Sequence, residues 1–486
     1  MEVQAYRAGV ERFVGDLERE YVLHLSGRKE SLDLEPIYDR HAALFERPAV
    51  DELLASGLRE LARFAAEGHI GRATKAEAEE VARLEATLTV ELDGESMPFR
   101  RARIEQANES DPDRRAELEA AILRVTDAEL NGLYLEAHER GAQLARELGF
   151  ASTVDMCERL GGLDLTALGR ECAEFLTATD PWYDEALTPS LSRELGFGLA
   201  ELRRSDIAAF LRAPGLDWAF PGERLMESYE RTLAGLGVDG PGVVLDLEDR
   251  PSKTPRAFCA PVRVPDEVHL VMARIGGLED YGVLYHETGH TQHYAHVDAR
   301  LPAEARYLGD NSVTEGFAFL FQHLVTTPEW LEATLGVRDA REVVRHARAT
   351  RLLFLRRYCG KLLYELELHG GGLDEREGGA AAAAPERYAE LLSRAVRVDW
   401  PASTWLADVD AFFYSARYLR AWALETYLRR TLAERFGPRW FASPEAGALL
   451  RALWSEGQAR SADELLGELT GERLELAAVA RDLASA

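Results

Sequence analysis

Tyr285-His286-Glu287-Thr288-Gly289-His290-Thr291-Gln292-His293 is the stretch on which the reading of this chain turns. It has the form His-Glu-x-x-His. On an α-helix, residues i and i+4 lie on one face, so His286 and His290 can direct two imidazole nitrogens at a single tetrahedral zinc ion. Glu287 stands roughly 60° round the helix from His290 by the 3.6-residue period, off the metal but beside its open coordination position. A general base for a metal-activated water belongs there. The five-residue pattern also arises by chance in glutamate-rich chains, so its surroundings decide its weight.

Upstream, Ile275-Gly276-Gly277 reads as a breaker, and Leu278 to Val297 contains no proline; Gly282 and Gly289 weaken a helix there without ending it. Downstream comes Asn311-Ser312-Val313-Thr314-Glu315-Gly316-Phe317-Ala318-Phe319, and the run from Ser312 to Leu324 is apolar enough to predict a second buried helix. Glu315 follows His290 by 25 residues. A carboxylate in such a helix is costly unless paired or bound to metal, which makes Glu315 the candidate third ligand. The expectation is one zinc ion per chain on His286, His290 and Glu315.

The chain changes character at Gly240-Pro241-Gly242. Val243 to Leu247, Ala257 to Ala260 and Val268 to Met272 have strand composition and predict a small sheet beside the metal helix. Such a sheet could offer an edge to an extended peptide or be purely structural. Elsewhere helices dominate. From Val3 to Leu25, apolar residues recur at three and four, as in Val10, Phe13, Val14, Leu17 and Tyr21, with Gly27 as a stop. Further helices are expected over Val50–Glu67, Lys75–Glu85, Pro112–Leu148, Asp339–His369, Ala411–Phe436, Pro444–Trp454 and Ser461–Leu469. Thr87 to Leu92 alternates like a strand before an Asp93-Gly94 turn, while Gly370–Gly372 and the low-complexity Gly378–Pro385 read as a surface loop. The fold class is mostly α, in three consecutive parts: an N-terminal helical lobe (1–239), a zinc-binding core (240–330) and a C-terminal helical lobe (331–486).

Composition narrows the partners. The 84 acidic and 57 basic residues give a net charge of −27, which repels phosphate backbones and anionic lipid surfaces, so nucleic acid and membrane are poor partners. Cys157, Cys172, Cys259 and Cys359 form no Cys-x-x-Cys pair and read as reduced, mostly buried thiols. The N-terminus has no apolar segment followed by a small-residue cleavage site, and no stretch approaches the roughly 18 uninterrupted apolar residues of a spanning helix. A cytoplasmic location is expected.

A second constellation lies in Asp408-Val409-Asp410-Ala411-Phe412-Phe413-Tyr414-Ser415-Ala416-Arg417-Tyr418-Leu419-Arg420. Tyr414 and Tyr418 share a helical face, and a phenol from a separate segment can donate to a developing oxyanion. Tyrosines at this spacing are also ordinary core residues. His293 lies on the face of the two ligands but a turn of about 5.4 Å further on, too far for the same metal, and reads as a substrate-side or supporting group. His296 extends the cluster; His269, His323, His346 and His369 lack partner spacing and read as structural or exposed.

The chain resembles the thimet oligopeptidase and oligoendopeptidase F family of zinc metallopeptidases. The resemblance rests on the His286–His293 run, on Glu315 at its remote spacing, on Lys253–Phe258 with the Pro265–Met272 strand, and on Leu144–Ser152. It implies a mostly helical, two-lobed molecule around a deep cleft, with zinc at the bottom and walls that admit only short peptides. By the same resemblance His286, His290 and Glu315 would hold zinc, Glu287 would be the base, and the stretch with Tyr414 and Tyr418 would stabilise the transition state. The family usually has a histidine shortly before those tyrosines, whereas here Asp408 or Asp410 would repel an oxyanion. The expected activity is hydrolysis of short peptides. A carboxypeptidase, with Arg417 or Arg420 anchoring the substrate's terminal carboxylate, an amidase, or a non-catalytic peptide-binding protein are the alternatives.

Overall fold

Long runs of apolar residues at three- and four-residue spacing bury one stripe of a helix and leave the other wet, and most of the chain takes that form. The computed structural model describes residues 2–485 apart from 30, 249, 251–252, 255–256, 275–276 and 372–378. The N-terminal helix, Val3–Leu25, has the bounds its periodicity predicts; Val10 and Phe13 are buried, and the Glu2 carboxylate caps it by accepting from the Ala5 amide at 3.0 Å. Among the described residues no helix is long and apolar enough to cross a membrane.

By contact the described residues gather into two units, each drawn from several stretches of chain. One takes Met1–Ala65, Leu216–Val344 and Arg417–Ser485; the other takes Ala66–Gly215 and Arg345–Ala416. This grouping cuts the chain at different places from the consecutive parts at 239 and 330.

The second unit contains a hairpin of β1 (Thr89–Leu92) and β2 (Glu95–Pro98). Its turn places both Asp93 (φ 54°) and Gly94 (φ 81°) in the left-handed region, as tight hairpin turns require. Thr87 ends the preceding helix, Lys75–Thr87, rather than opening the strand. The long helix begins as expected at Pro112, with Asp111 accepting from the Asp113 amide, but Thr126–Leu130 form one wider turn between Pro112–Val125 and Asn131–Glu147. The alanine-rich stretch expected to be a loop is helical from Gly379 onward, within Gly379–Val396. Alanine has the highest helix propensity, so the low complexity of this run signals helix. Gly372 and Gly378 of the expected loop, and Ile275 and Gly276 of the expected breaker, lie outside the described residues.

The first unit contains the sheet and the metal helix. Strands β3 (Val243–Asp246), β4 (Phe258–Arg263) and β5 (Glu267–Val271) are ordered β3-β5-β4. Central β5 runs parallel to β3 and antiparallel to β4, so that Leu270 faces Leu245 on one side and Cys259 on the other. The N-terminal helix packs along β4: a Cβ on Gly15 would lie 3.0 Å from the Val262 carbonyl oxygen, and Val22 joins Ala260 and Val262 in one apolar cluster.

The metal helix, Gly277–Ala295, packs on the sheet with one side and crosses the helix Asn311–Leu324 with the other. The crossing is close. A Cβ on Gly289 would stand 2.5 Å from both the Ala318 Cα and the Phe317 carbonyl oxygen, which are backbone atoms that cannot swing aside. Behind the metal helix, Tyr285 hydrogen-bonds Thr232 at 2.9 Å and packs edge-on against buried Trp330. Gly289→Ala must therefore push two buried helices apart. Urea denaturation is expected to show a loss of about 2 kcal/mol or more, in the upper range for overpacked cores.

Candidate metal centre

Because Gly289 lets the two helices touch, Glu315 comes up beside the imidazoles it follows by 25 residues. Glu315 Oε2 lies 3.5 Å from His286 Nε2 and 3.5 Å from His290 Nε2, and one ligand atom from each residue falls within 4.8 Å of the others. Each ring is held from behind. His286 Nδ1 meets Gln322 Oε1 at 2.8 Å, and His290 Nδ1 meets Thr314 Oγ1 at 2.8 Å. With Nδ1 protonated and donating, both Nε2 lone pairs point at the common centre, the arrangement by which outer partners orient metal-binding histidines. Two imidazole nitrogens and one carboxylate oxygen are a donor set suited to zinc with a fourth position open. The residues therefore fit the metal that the sequence predicts.

The electrostatics agree. Burial alone would raise the carboxyl of Glu315, but the two imidazoles outweigh it and hold the group well below the usual carboxylate range. Glu287, one residue after the first ligand, is half-buried and has no hydrogen bond or ion pair among the described residues.

The helix that presents Glu315 is itself pinned. Asp310 caps it: Oδ1 accepts from the Ser312 amide at 3.0 Å and from Arg417 Nη1 at 2.7 Å, and Oδ2 accepts from the Ala462 amide at 3.0 Å. Arg417, expected to bind substrate, is thus engaged in the interior with an aspartate of its own unit. Arg420 pairs in the same way with Asp463.

Tyr418 belongs to this unit too. Its ring lies 6.0 Å from that of Phe319, and Phe319 in turn packs edge-on against His286 at 5.1 Å and stacks on Trp422 at 4.7 Å. Tyr414, first residue of the helix Tyr414–Phe436, belongs to the other unit.

His293, expected as a substrate-side or supporting group, lies in the core. It is fully buried against Tyr294 and Phe317, and burial pulls its pKa down to about 3, so the ring is neutral. The extra turn that separates it from His290 carries it into the core. His296 is likewise structural, its Nδ1 meeting the Gln292 carbonyl oxygen at 2.8 Å.

The two aspartates before the tyrosines are also differently placed than their charge suggests. Asp408 is paired with Arg357 and accepts from the Tyr388 hydroxyl at 2.7 Å, while Asp410 pairs with Lys361 at 2.8 Å. Their charge is spent within the second unit on these partners. Asp410 also gives its amide to buried Glu365 at 2.9 Å, just ahead of Phe412 (φ 51°) and Phe413 (φ 59°), two successive left-handed residues that the buried polar network holds in place.

Sequence reasoning missed Gln322, Thr314 and Asp310. Gln322 stands two turns after Glu315 on the same helical face, and Thr314 adjoins it, but no spacing rule names a ring-orienting partner. Asp310 carried a legible signal as an N-cap.

No protein-family model and no curated protein sequence matches the chain. Among solved structures it is similar to a "putative oligoendopeptidase F" from Bacillus anthracis str. Ames, with a TM-score of 0.65 and 14% identity over 96% of this chain and 84% of the other. The chain has that helical fold with its small sheet.

Two substitutions test the centre. Gln322→Ala is expected to weaken zinc binding by about 10- to 100-fold in equilibrium dialysis, since it frees the His286 ring to turn. Asp310→Ala leaves Arg417 buried without its carboxylate and is expected to cost about 3–5 kcal/mol of stability in denaturant melts.

Proposed function

We propose that the chain is a zinc-dependent peptidase that hydrolyses internal bonds of short peptides. The observation that carries the reading is the convergence of His286, His290 and Glu315 within 4.8 Å, with an unengaged carboxylate, Glu287, on the same helix. The name of the structural neighbour, an oligoendopeptidase F, supports the same chemistry. Zinc bound there would supply Lewis-acid polarisation of the scissile carbonyl and acidify a water molecule.

The chain's own residues do the rest. Glu287 takes the proton from the attacking water and passes it to the leaving amine. The Tyr418 hydroxyl donates to the developing oxyanion, its ring braced by Phe319 and Trp422; it is preferred over Tyr414 because of its ring contact with the residue that packs on His286. Strand β4 ends the sheet, and the thiol of its Cys259 is pushed well up by burial first and then by the charge of Glu287, with smaller contributions from Glu18 and Glu315. Four free cysteines fit a reducing, cytoplasmic setting.

Endopeptidase action is favoured over a carboxypeptidase anchored by Arg417 or Arg420, because both arginines already hold aspartates. Glu287 argues against a binding protein, which needs no base.

Purified protein incubated with a mixed library of short quenched peptides should cut internal bonds, lose activity to a chelator and regain it with zinc. Glu287→Gln is expected to retain one zinc per chain and lose turnover by several orders of magnitude. Tyr418→Phe is expected to lower kcat by about 100-fold with little change in KM, as removal of one oxyanion donor does. Zinc binding without cleavage of any peptide would overturn the peptidase reading.

A further inference from the structure

Three aromatic rings of the first unit gather beside His286. On the helix Asn311–Leu324, Glu315, Phe319 and Gln322 stand at i, i+4 and i+7 and share a face. Glu315 Oε2 lies 3.5 Å from His286 Nε2 and Gln322 Oε1 lies 2.8 Å from its Nδ1, while the ring of Phe319, between them in sequence, packs edge-on against the same imidazole at 5.1 Å. Trp422 stacks on Phe319 at 4.7 Å. Tyr418, one helical turn before Trp422, lies 6.0 Å from Phe319 and 6.2 Å from Trp422.

Burial singles out Phe319. From Ser312 to Phe321 every residue is buried except this one, and its ring is the one in that run that meets an imidazole of the metal centre. Tyr418 is likewise half-buried, between buried Arg417 and Leu419. On the metal helix, a Cβ on Gly282, one turn before His286, would meet no atom within 4 Å, so space stays open on that approach to the ligand. A large apolar side chain left half-wet in an otherwise buried helix forgoes part of its hydrophobic gain. Covering it with apolar substrate recovers that gain. Rings pack with centroids about 4.5–7 Å apart, the spacing these three already keep, so one more ring or a branched aliphatic chain can extend the series. The wall offers a substrate no charge from the arginines next to Tyr418 in sequence, because Arg417 and Arg420 hold Asp310 and Asp463.

We infer that Phe319, with Tyr418 and Trp422 behind it, is the specificity-determining wall that receives an aromatic or large aliphatic side chain of the residue next to the scissile bond. The inference rests on the peptidase reading and names the side chain that reading leaves open.

The test varies one quenched peptide, with Phe, Leu or Ala placed in turn on either side of the bond that is cut. At one of the two positions Phe is expected to exceed Ala by at least about tenfold in kcat/KM, the scale on which apolar pockets discriminate. Phe319→Ala should bring that ratio close to one. Phe319 also touches Tyr418 and His286, so absolute rates are expected to fall for every peptide, and the ratio isolates the wall from this shared loss. Phe319→Leu is the milder change and should lower the Phe-over-Ala ratio by about threefold, which keeps the test decisive if the alanine variant fails to fold. A binding arm uses isothermal titration of zinc-loaded Glu287→Gln protein, in which the Phe peptide should bind more tightly than the Ala peptide and adding Phe319→Ala should erase the difference. Equal handling of Phe and Ala at both positions, or a preference that either Phe319 variant leaves unchanged, overturns the assignment. Cleavage without a Phe319-dependent preference sinks only this inference; a Phe319-dependent binding preference without cleavage by the unaltered protein sinks only the peptidase reading.

Discussion

The contact at Gly289 governs the first unit. Three ligand atoms must meet within a few ångströms although one of them comes from a different helix. Helices dressed with ordinary side chains pack about 8–10 Å apart, and long side chains would then have to bridge the gap with loss of precision. Removing the Cβ at one position lets the metal helix rest on the backbone at Phe317 and Ala318, one turn beyond Glu315. The short reach of glutamate then suffices. The ring partners Gln322 and Thr314 ride on the same second helix, so one crossing sets both the third ligand and the orientation of the first two.

Within each unit the chain places charge in pairs where it is structural and leaves it single where chemistry is proposed. Asp310 and Arg417 tie the cap of the glutamate helix to the helix of Tyr418. Asp408 and Asp410 are answered by Arg357 and Lys361. Glu287 is the contrast, half-buried and unengaged among the described residues. A half-buried, unpaired carboxylate is retained against a stability cost, and the proton transfer proposed for Glu287 is a function that justifies it.

Much of the fold was legible because it is written in short-range periodicity. The Val3–Leu25 helix, the metal helix, the glutamate helix and all three strands of the sheet appear within a few residues of the stretches that spacing and turn residues mark. The misread alanine run shows the limit of composition: low complexity suggested a loop, but a string of strong helix formers is helical for local reasons. Asp408 shows another limit. Its charge could be read from the sequence, but its cancellation by Arg357, 51 positions away, could not.

By itself the sequence determined that His286 and His290 share a helical face with Glu287 beside them, because i, i+4 geometry is a property of one helix, and it marked Glu315 because a lone carboxylate in an apolar run demands a partner. Tertiary structure alone decided what each of these side chains faces. It buried His293, gave Arg417 to Asp310, and gave the rings of His286 and His290 to Gln322 and Thr314. Periodicity fixes which residues share a face of one element, whereas the partner across that face is chosen by packing between segments far apart in the chain.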